Sequence, residues 1–198
     1  MGLARRRLAA TNLLLVTPRR QQILDIAAHL FAQKGFHGVS VAELGAACGI
    51  SGPALYKHFP SKDAMLAEML VAISEQLLTG GRARVSDAPD ARAAVEALVD
   101  GHIEFALAHR DLIVVQDRDW SSLPAEAREQ VRALQRAYVD VWAGQLCALH
   151  PSMQPETARA CAHVAFGLIN STPHSGLLPD EAMRRLLRDM ARRALRLV

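Results

Sequence analysis

The chain has 198 residues, of which 51% are hydrophobic and 22% are charged, and these proportions exclude an intrinsically disordered protein. No apolar run reaches the roughly 20 residues that a membrane-spanning helix needs, and three widely spaced cysteines without a CxxC pair disfavour a disulfide scaffold or a thiolate zinc site, so we expect a cytoplasmic protein without membrane contact. The net charge of +3 is uneven: residues 1–62 carry +6 and the remaining residues carry −3, which indicates that the N-terminal third contacts a polyanion.

The chain begins with a basic segment, residues 1–16, in which Arg5–Arg7 precede the apolar run Leu13–Val16. Thr11 and Asn12 interrupt the apolar stretch, and no small-residue cleavage site follows. We therefore interpret the segment as a basic arm and not as a signal peptide. Such an arm either stays solvated or contacts the polyanion.

Residues 17–62 are predicted to form three helices, because helix start and stop signals divide them at short intervals. In chain order these signals are Thr17-Pro18, Gly35, Ser40 with Glu43 as a capping box, Gly49, Ser51 and Pro60. Apolar residues recur at helical spacing between the signals, which predicts a small helical domain.

Residues 63–198 are predicted to be a helical body. A long helix starts at Ser61 and is expected to break at Thr79-Gly80-Gly81, and later helices start near Pro124, Pro155 and Pro179. Since no segment alternates with the period of a strand, the predicted fold class is all-α.

The segment from Ser40 to Lys62 has the pattern of a helix-turn-helix, two short helices joined through Gly49. In the second helix only Leu55 and the terminal Ile50 and Phe59 resemble core anchors. The other residues are small or can form hydrogen bonds, which suits a helix that enters the major groove of DNA.

This stretch resembles the DNA-binding domain of the TetR/AcrR family of bacterial regulators. The motifs that carry the resemblance are Gly49-Ile50-Ser51, Ala54-Leu55-Tyr56-Lys57-His58-Phe59 and Ser61-Lys62-Asp63, within a similarity that covers roughly residues 19–70. The resemblance implies an all-α protein with an N-terminal three-helix DNA-binding domain and a C-terminal helical domain for ligand binding and dimerisation. It also implies a cytoplasmic homodimer that binds a double-stranded operator.

The resemblance further implies which side chains approach DNA. Tyr56, His58 and Lys62 would contact phosphates, Ser40 would cap its helix and touch a phosphate, and Lys57 would reach a base edge. The full set is Ser40, Gly52, Pro53, Ala54, Tyr56, Lys57, His58 and Lys62. For Tyr56 and His58 the alternative is that both pack under the fourth helix.

A ligand cavity in the body is expected where polar or aromatic groups interrupt apolar helix faces. His102 is such a group, on the face that carries Val95, Leu98 and Val99. The candidate ligand-binding residues are His102, Phe105, Trp120, Tyr138, Trp142, Phe166 and Asn170. Each could instead belong only to the core.

A looser similarity to family members that sense acyl-CoA thioesters involves the stretch 117–128 together with Leu134–Tyr138 and Phe166–Asn170. It implies a small, largely apolar effector such as an acyl-CoA or a fatty acid. Arg110 and Arg118 would then meet CoA phosphates, or they form surface ion pairs.

Two further expectations concern assembly and chemistry. The small residues after Pro155 and the apolar side of the last helix resemble the dimer interface of the family and favour a homodimer; the alternative is that these faces belong only to the core of one chain. The residues are Ala158, Cys161, Ala162, Ala165 and Gly167, and Met183, Leu186, Leu187, Met190 and Leu197. No nucleophile–base pair, metal-spaced His/Cys cluster or Gly-rich phosphate loop occurs, so we expect neither an enzyme nor a cofactor.

The predicted function is a repressor that a ligand releases from its operator. The alternative is a helical lipid- or acyl-binding module whose helix-turn-helix contacts proteins.

Overall fold

The structure, a computed structural model, describes residues 18–197, and the predicted arm at 1–16 lies outside them. Within the described range the chain forms helices joined by short loops and contains no strand, which confirms the all-α class. The helices are α1 Pro18–Lys34, α2 Val41–Ala47, α3 Gly52–Leu55, α4 Lys62–Asp87, α5 Ala91–Ala108, α6 Arg110–Asp119, α7 Ala125–Leu149, α8 Pro155–Ile169 and α9 Asp180–Ala194. Single 3-10 turns occupy Trp120–Ser122 and Thr172–His174.

The first three helices enclose a core with the N-terminal half of α4. Phe31, Leu44, Leu55 and Phe59 are buried there, together with Leu66 from α4. The same core continues into the body, where it includes Val115, Leu123 and Val131. The N-terminal helices and the body therefore share one core, with α1 in direct contact with α6. The expected boundary at residue 62 falls at the first residue of α4.

Helix α4 runs without interruption from Lys62 to Asp87, so the predicted break at Thr79-Gly80-Gly81 is wrong. The reason lies in the packing of Gly81 against Tyr138 of α7. A Cβ atom at residue 81 would lie 2.6 Å from Cε2 of that ring, so the glycine lets the two helices approach closely. Here glycine serves helix packing and not a turn.

The body is built from α5, α7, α8 and α9 around a second core that contains Leu98, Trp142, Leu146, Ala162 and Leu187. No helix between residues 18 and 197 is both long enough and apolar enough to cross a membrane. Arg188 and Arg192 on α9 pair with Asp100 and Glu96 on α5, so these two arginines join two helices of the body.

Candidate nucleic-acid interface and interior cavity

The helix-turn-helix is fixed by caps and by a tight turn. The Ser40 hydroxyl accepts a hydrogen bond from the Glu43 N–H at 3.1 Å, and the Ser51 hydroxyl accepts one from the Ala54 N–H at 3.3 Å. Gly49 has φ +67°, a left-handed conformation that favours glycine. A Cβ atom on residue 45 would lie 2.8 Å from the Ile50 carbonyl oxygen and 2.9 Å from the Gly52 nitrogen. Only glycine at position 45 therefore lets the backbone at residues 50–52 approach α2 this closely.

Helix α3 exposes the face that was expected to meet DNA. Leu55 and Phe59 are buried as predicted, whereas Pro53 and Lys57 are exposed and the Tyr56 side chain is 53% exposed. The helix ends at Leu55, and residues 56–58 continue as a turn in which the His58 N–H donates to the Leu55 carbonyl. Tyr56 therefore does not pack under α4, while His58, Gly52 and Ala54 are half-buried.

Most cationic side chains of the segment 18–62 form hydrogen bonds or ion pairs with other residues of the protein. Arg20 pairs with Glu68 at 2.6 Å and lies over the Phe59 ring, and Lys34 pairs with Glu43. The hydrogen bond from Lys34 lowers the pKa of Glu43. Lys57 differs, because its ammonium group has no carboxylate or carbonyl partner between residues 18 and 197.

Lys62 holds together the loop that precedes α2. Its ammonium group donates to the carbonyls of Phe36 at 2.7 Å and Val39 at 2.8 Å, and it lies 4.4 Å from the centre of the Phe36 ring. An ammonium group has three donors. Lys62 is thus a positioning residue with one donor to spare for a phosphate, a role that sequence reasoning missed.

A second set of hydrogen bonds joins α1 to α6. The Arg118 guanidinium donates to the carbonyls of Phe31 and of Ala32, the latter at 3.0 Å, and so caps the C-terminal end of α1. It also pairs with the buried Asp119 at 3.2 Å. Arg118 therefore connects α6 to α1 instead of lining the cavity. Arg110 pairs with Asp180 at 2.5 Å.

The body contains a cavity of about 190 Å³ between α4, α5, α6, α7 and α8. It brings together five of the seven residues predicted to bind a ligand: His102, Phe105, Tyr138, Phe166 and Asn170. The Tyr138 and Phe166 rings stack with their centroids 5.4 Å apart, and the His102 ring stacks on Phe166 at 4.7 Å. Stacked rings therefore form one part of the wall, and aliphatic and polar side chains form the rest.

Three polar groups of the cavity form a short chain centred on His102. The Nε2 atom of His102 lies 3.2 Å from Oδ1 of Asn170, and its Nδ1 atom lies 3.4 Å from the Tyr138 hydroxyl. Burial lowers the pKa of His102 to about 4, and burial raises the pKa of Tyr138 to about 12. Both groups are neutral at pH 7, and no Lys or Arg between residues 18 and 197 lines the cavity.

Two predicted ligand residues are not on the cavity wall. Trp142 is fully buried behind it, with its ring edge-on to Phe166 at 5.0 Å. Trp120 packs on the other core, and Arg132 lies over its ring at 5.6 Å. The structure thus does not bring Trp120 to this cavity.

Sequence reasoning missed the wall contributed by α4 and α6. Ile73, Ser74 and Leu77 come from α4, and Gln116 comes from α6. Ser74 offered the same signal as His102, a polar residue on an apolar helix face, but its hydroxyl donates to the Leu70 carbonyl at 2.7 Å. For α6 no separate helix was predicted, so its inward face was not defined.

The outer surfaces of α8 and α9 carry an exposed apolar strip among charged residues. Val164 is 61% exposed, Leu186 and Met190 are exposed, and nothing stands within 4 Å of a Cβ built on Gly167. Several residues predicted to contact a partner instead face the core of the same chain: Ala158, Ala162 and Ala165 of α8, which are 0% exposed, and the buried Met183, Leu187 and Leu197. The exposed apolar strip therefore lies on the opposite side of α8.

Comparison with known proteins identifies two units. A family model described as bacterial regulatory proteins, tetR family, matches residues 23–69. A second, described as tetracyclin repressor-like, C-terminal domain, matches residues 88–195. Together they cover the helix-turn-helix and the body.

Individual relatives agree with this result. The HTH-type transcriptional repressor KstR2 of Rhodococcus jostii (strain RHA1) is 33% identical over 129 residues, 65% of this chain and 63% of the relative, so the match spans less than two thirds of that protein. A TetR-family transcriptional regulator from Bordetella parapertussis 12822 has a TM-score of 0.78 at 26% identity, over 87% of this chain and 93% of that one. AibR in complex with isovaleryl coenzyme A and operator DNA shares the fold, with a TM-score of 0.72 at 21% identity over 87% and 97% of the two chains.

Proposed function

The chain belongs to the tetR family of bacterial regulatory proteins, and from that premise we propose that it is a transcriptional repressor that leaves its operator when a small, largely apolar effector binds. The family is one of transcriptional regulators and not of enzymes. One observation carries the effector response. Helix α4 contributes Met65 and Leu66 to the core beneath the helix-turn-helix, and Ile73 and Leu77 to the wall of the cavity.

The proposed DNA contacts fall into two groups. Tyr56 and Lys57 are exposed on the turn that follows α3 and would read or contact DNA directly, with Pro53 beside them. Gly52 and Ala54 would let the backbone approach closely. Ser40, His58 and the spare donor of Lys62 would contact phosphates, which position the protein without specifying sequence. With a single unpartnered cation on this surface in the described chain, we expect part of the specificity to come from DNA shape.

The proposed effector has a small, uncharged part that occupies the cavity. A cavity of 150 Å³ accommodates benzene, so one of about 190 Å³ suits roughly six to eight non-hydrogen atoms. His102, Asn170 and Tyr138 can exchange hydrogen bonds with one carbonyl or hydroxyl group of the ligand. A short acyl group fits these limits, and the ligand in the AibR complex, isovaleryl coenzyme A, carries such a group.

We further propose a homodimer through the exposed apolar strip formed by Val164, Gly167, Leu186 and Met190. One short α3 reads only a few base pairs, and two copies bind half-sites about one turn of B-DNA apart, roughly 34–36 Å. An effector that prefers a different separation of the two copies lowers DNA affinity by its differential binding to the two conformations.

The test is selection of an operator from genomic DNA by the purified protein, followed by titration of the complex with isovaleryl-CoA. We expect one enriched palindromic sequence and its release by the thioester. The His102→Leu variant should bind this DNA normally and respond weakly, because the polar anchor is lost while the volume is nearly kept. Enrichment of no sequence would contradict the proposal and favour the acyl-binding module with a protein-binding helix-turn-helix.

A further inference from the structure

A groove of about 400 Å³ runs between α7 and α8 on the solvent side of the cavity. Three residues, Gln135, Val139 and His163, line both the groove and the cavity. The two spaces are therefore adjacent and separated by one layer of side chains. A ligand that fills the cavity can extend between these residues into the groove.

The charges of the two spaces differ. The cavity is lined by one carboxylate, Asp117, and by no cation of the described chain. The groove is lined by Arg132, Arg136 and Arg159 and by one carboxylate, Asp140. An anionic group on the ligand would therefore be repelled from the cavity and attracted to the groove.

One of the three arginines is without a partner. Arg159 pairs with Asp140 at 2.8 Å, and Arg132 pairs with Glu129 at 2.5 Å. The exposed Arg136 makes no hydrogen bond or ion pair with any residue of the segment 18–197. Its guanidinium group, which has five donors, is thus available to a phosphate or a carboxylate.

Helix α8 connects the two spaces through one stripe of side chains. Arg159, His163, Phe166 and Asn170 follow each other at spacings of four, three and four residues, which places them on one face. Arg159 and His163 lie in the groove, and Phe166 and Asn170 lie in the cavity. Along this stripe a ligand would meet a cation first, then aromatic rings, then an amide.

We propose that the groove binds the phosphate-bearing head of the effector while its short apolar tail occupies the cavity, with Arg136 as the principal contact. This inference rests on the proposed function, because it takes the cavity as the effector site. The groove has about twice the volume of the cavity, so the head is larger than the tail. A short-chain acyl thioester of coenzyme A has this distribution of size and charge, whereas a free acid leaves most of the groove empty.

The experiment compares two probes by calorimetric titration of the protein without DNA. Isovaleryl-CoA carries the phosphates, and S-isovaleryl-N-acetylcysteamine carries the same acyl thioester without them. Arg136→Glu should lower the affinity for isovaleryl-CoA by about tenfold or more and leave the affinity for the neutral probe unchanged. Arg82→Glu is the matched control, because Arg82 is an exposed arginine of α4 outside the groove, and it should change both affinities less than twofold.

Three results would overturn the proposal: equal isovaleryl-CoA affinity in Arg136→Glu and the parent protein, an equal loss for both probes, or no binding of either probe to the parent. A free isovalerate affinity equal to that of the CoA ester would assign the groove to a carboxylate and also contradict a phosphate-bearing head. Operator binding, measured separately, is unaffected by all of these outcomes, so failure of the groove and failure of the regulator are distinguished.

Discussion

At the scale of single residues, the cations near the helix-turn-helix divide into those that hold the fold and one that is left for a partner. Lys62 bridges two carbonyls of the loop before α2, and Arg118 caps α1 from α6. Lys57 has neither kind of contact among the residues described. Charge counted along the sequence therefore overstates the number of groups that are free to meet DNA.

This division predicts opposite phenotypes for two lysine substitutions. Lys57→Ala should leave the free energy of unfolding unchanged and weaken the selected operator by about 1–3 kcal/mol if it contacts a base. Lys62→Ala should lower the free energy of unfolding by about 1–3 kcal/mol, because two charge-assisted hydrogen bonds are lost. Urea unfolding and fluorescence anisotropy with operator and random DNA measure the two effects. Equal losses on both DNAs for Lys57→Ala would contradict its base-reading role.

His102 makes stability depend on pH in a predictable direction. Burial lowers its pKa from 6.5 to about 4, so the unfolded chain binds a proton that the folded chain does not. The stabilisation from keeping it neutral is complete above pH 6.5 and is lost as the pH falls toward 4, with about 2 kcal/mol lost at pH 5.

The measurement is urea unfolding of the parent protein and of His102→Gln at pH 7.5 and pH 5. We expect the parent to lose more stability than the variant between these two values, by the amount that His102 contributes. The other titrating groups are common to both proteins and cancel in the difference. An identical loss in the two proteins would show that the His102 pKa is not lowered in the folded state.

At the scale of elements, α4 shows why local signals misplace a helix end. A glycine pair after a threonine is a typical stop signal. In this chain Gly81 is instead required by the Tyr138 ring, a contact 57 residues away that no local pattern contains. Gly80 has no such constraint, because a Cβ there would meet only the end of the flexible Arg84 side chain at 3.0 Å.

The two neighbouring glycines therefore respond oppositely to alanine. Gly80→Ala should stabilise the protein by up to about 1 kcal/mol through helix propensity. Gly81→Ala should destabilise it by about 1–3 kcal/mol, because its methyl group overlaps the Tyr138 ring and forces it into the cavity. Thermal unfolding of both variants gives the sign of each change in stability. Stabilisation by Gly81→Ala would mean that α4 and α7 can move apart without cost.

The contrast between local signals and contacts across the chain also explains which parts of the site could be predicted from the sequence. The caps at Ser40 and Ser51, the anchors Leu55 and Phe59, and the polar His102 on an apolar face are local features, and the structure places them as expected. The contacts of Lys62, Arg118 and Gly81 join segments that are distant in the chain. Sequence periodicity defines which face of a helix is apolar, but not which helix covers that face. It therefore does not show that Trp120 packs against the other core.

At the scale of the whole molecule, the position of the exposed strip decides which substitution tests assembly. Val164 is 61% exposed and Ala165 is 0% exposed, although they are adjacent in α8. A substitution at Val164 can therefore disrupt contact with a partner chain and leave the core of its own chain intact, whereas a substitution at Ala165 cannot. The dimer proposal therefore concerns one side of α8 and the outer side of α9.

Val164→Arg should give a folded monomer with weak operator affinity, because a charge on the strip opposes contact with a second copy. Ala165→Arg should fail to fold, since it places the charge in the core. Sedimentation velocity and circular dichroism separate the two outcomes. If the parent protein sediments as a monomer at micromolar concentration, or if Val164→Arg remains a dimer with undiminished affinity, the strip is not the interface.

The close contact between Gly81 and Tyr138 has a mechanical consequence. It fixes one point of α4, and the helix continues without a kink to Lys62, about 28 Å away at 1.5 Å per residue. A tilt of only about 6° about that point displaces the far end by about 3 Å, which is the full length of a hydrogen bond. Under the proposed function, a small displacement of side chains beside Ile73 or Leu77 would then carry α3 out of register with a base edge. The proposed effector would need no large structural change to act.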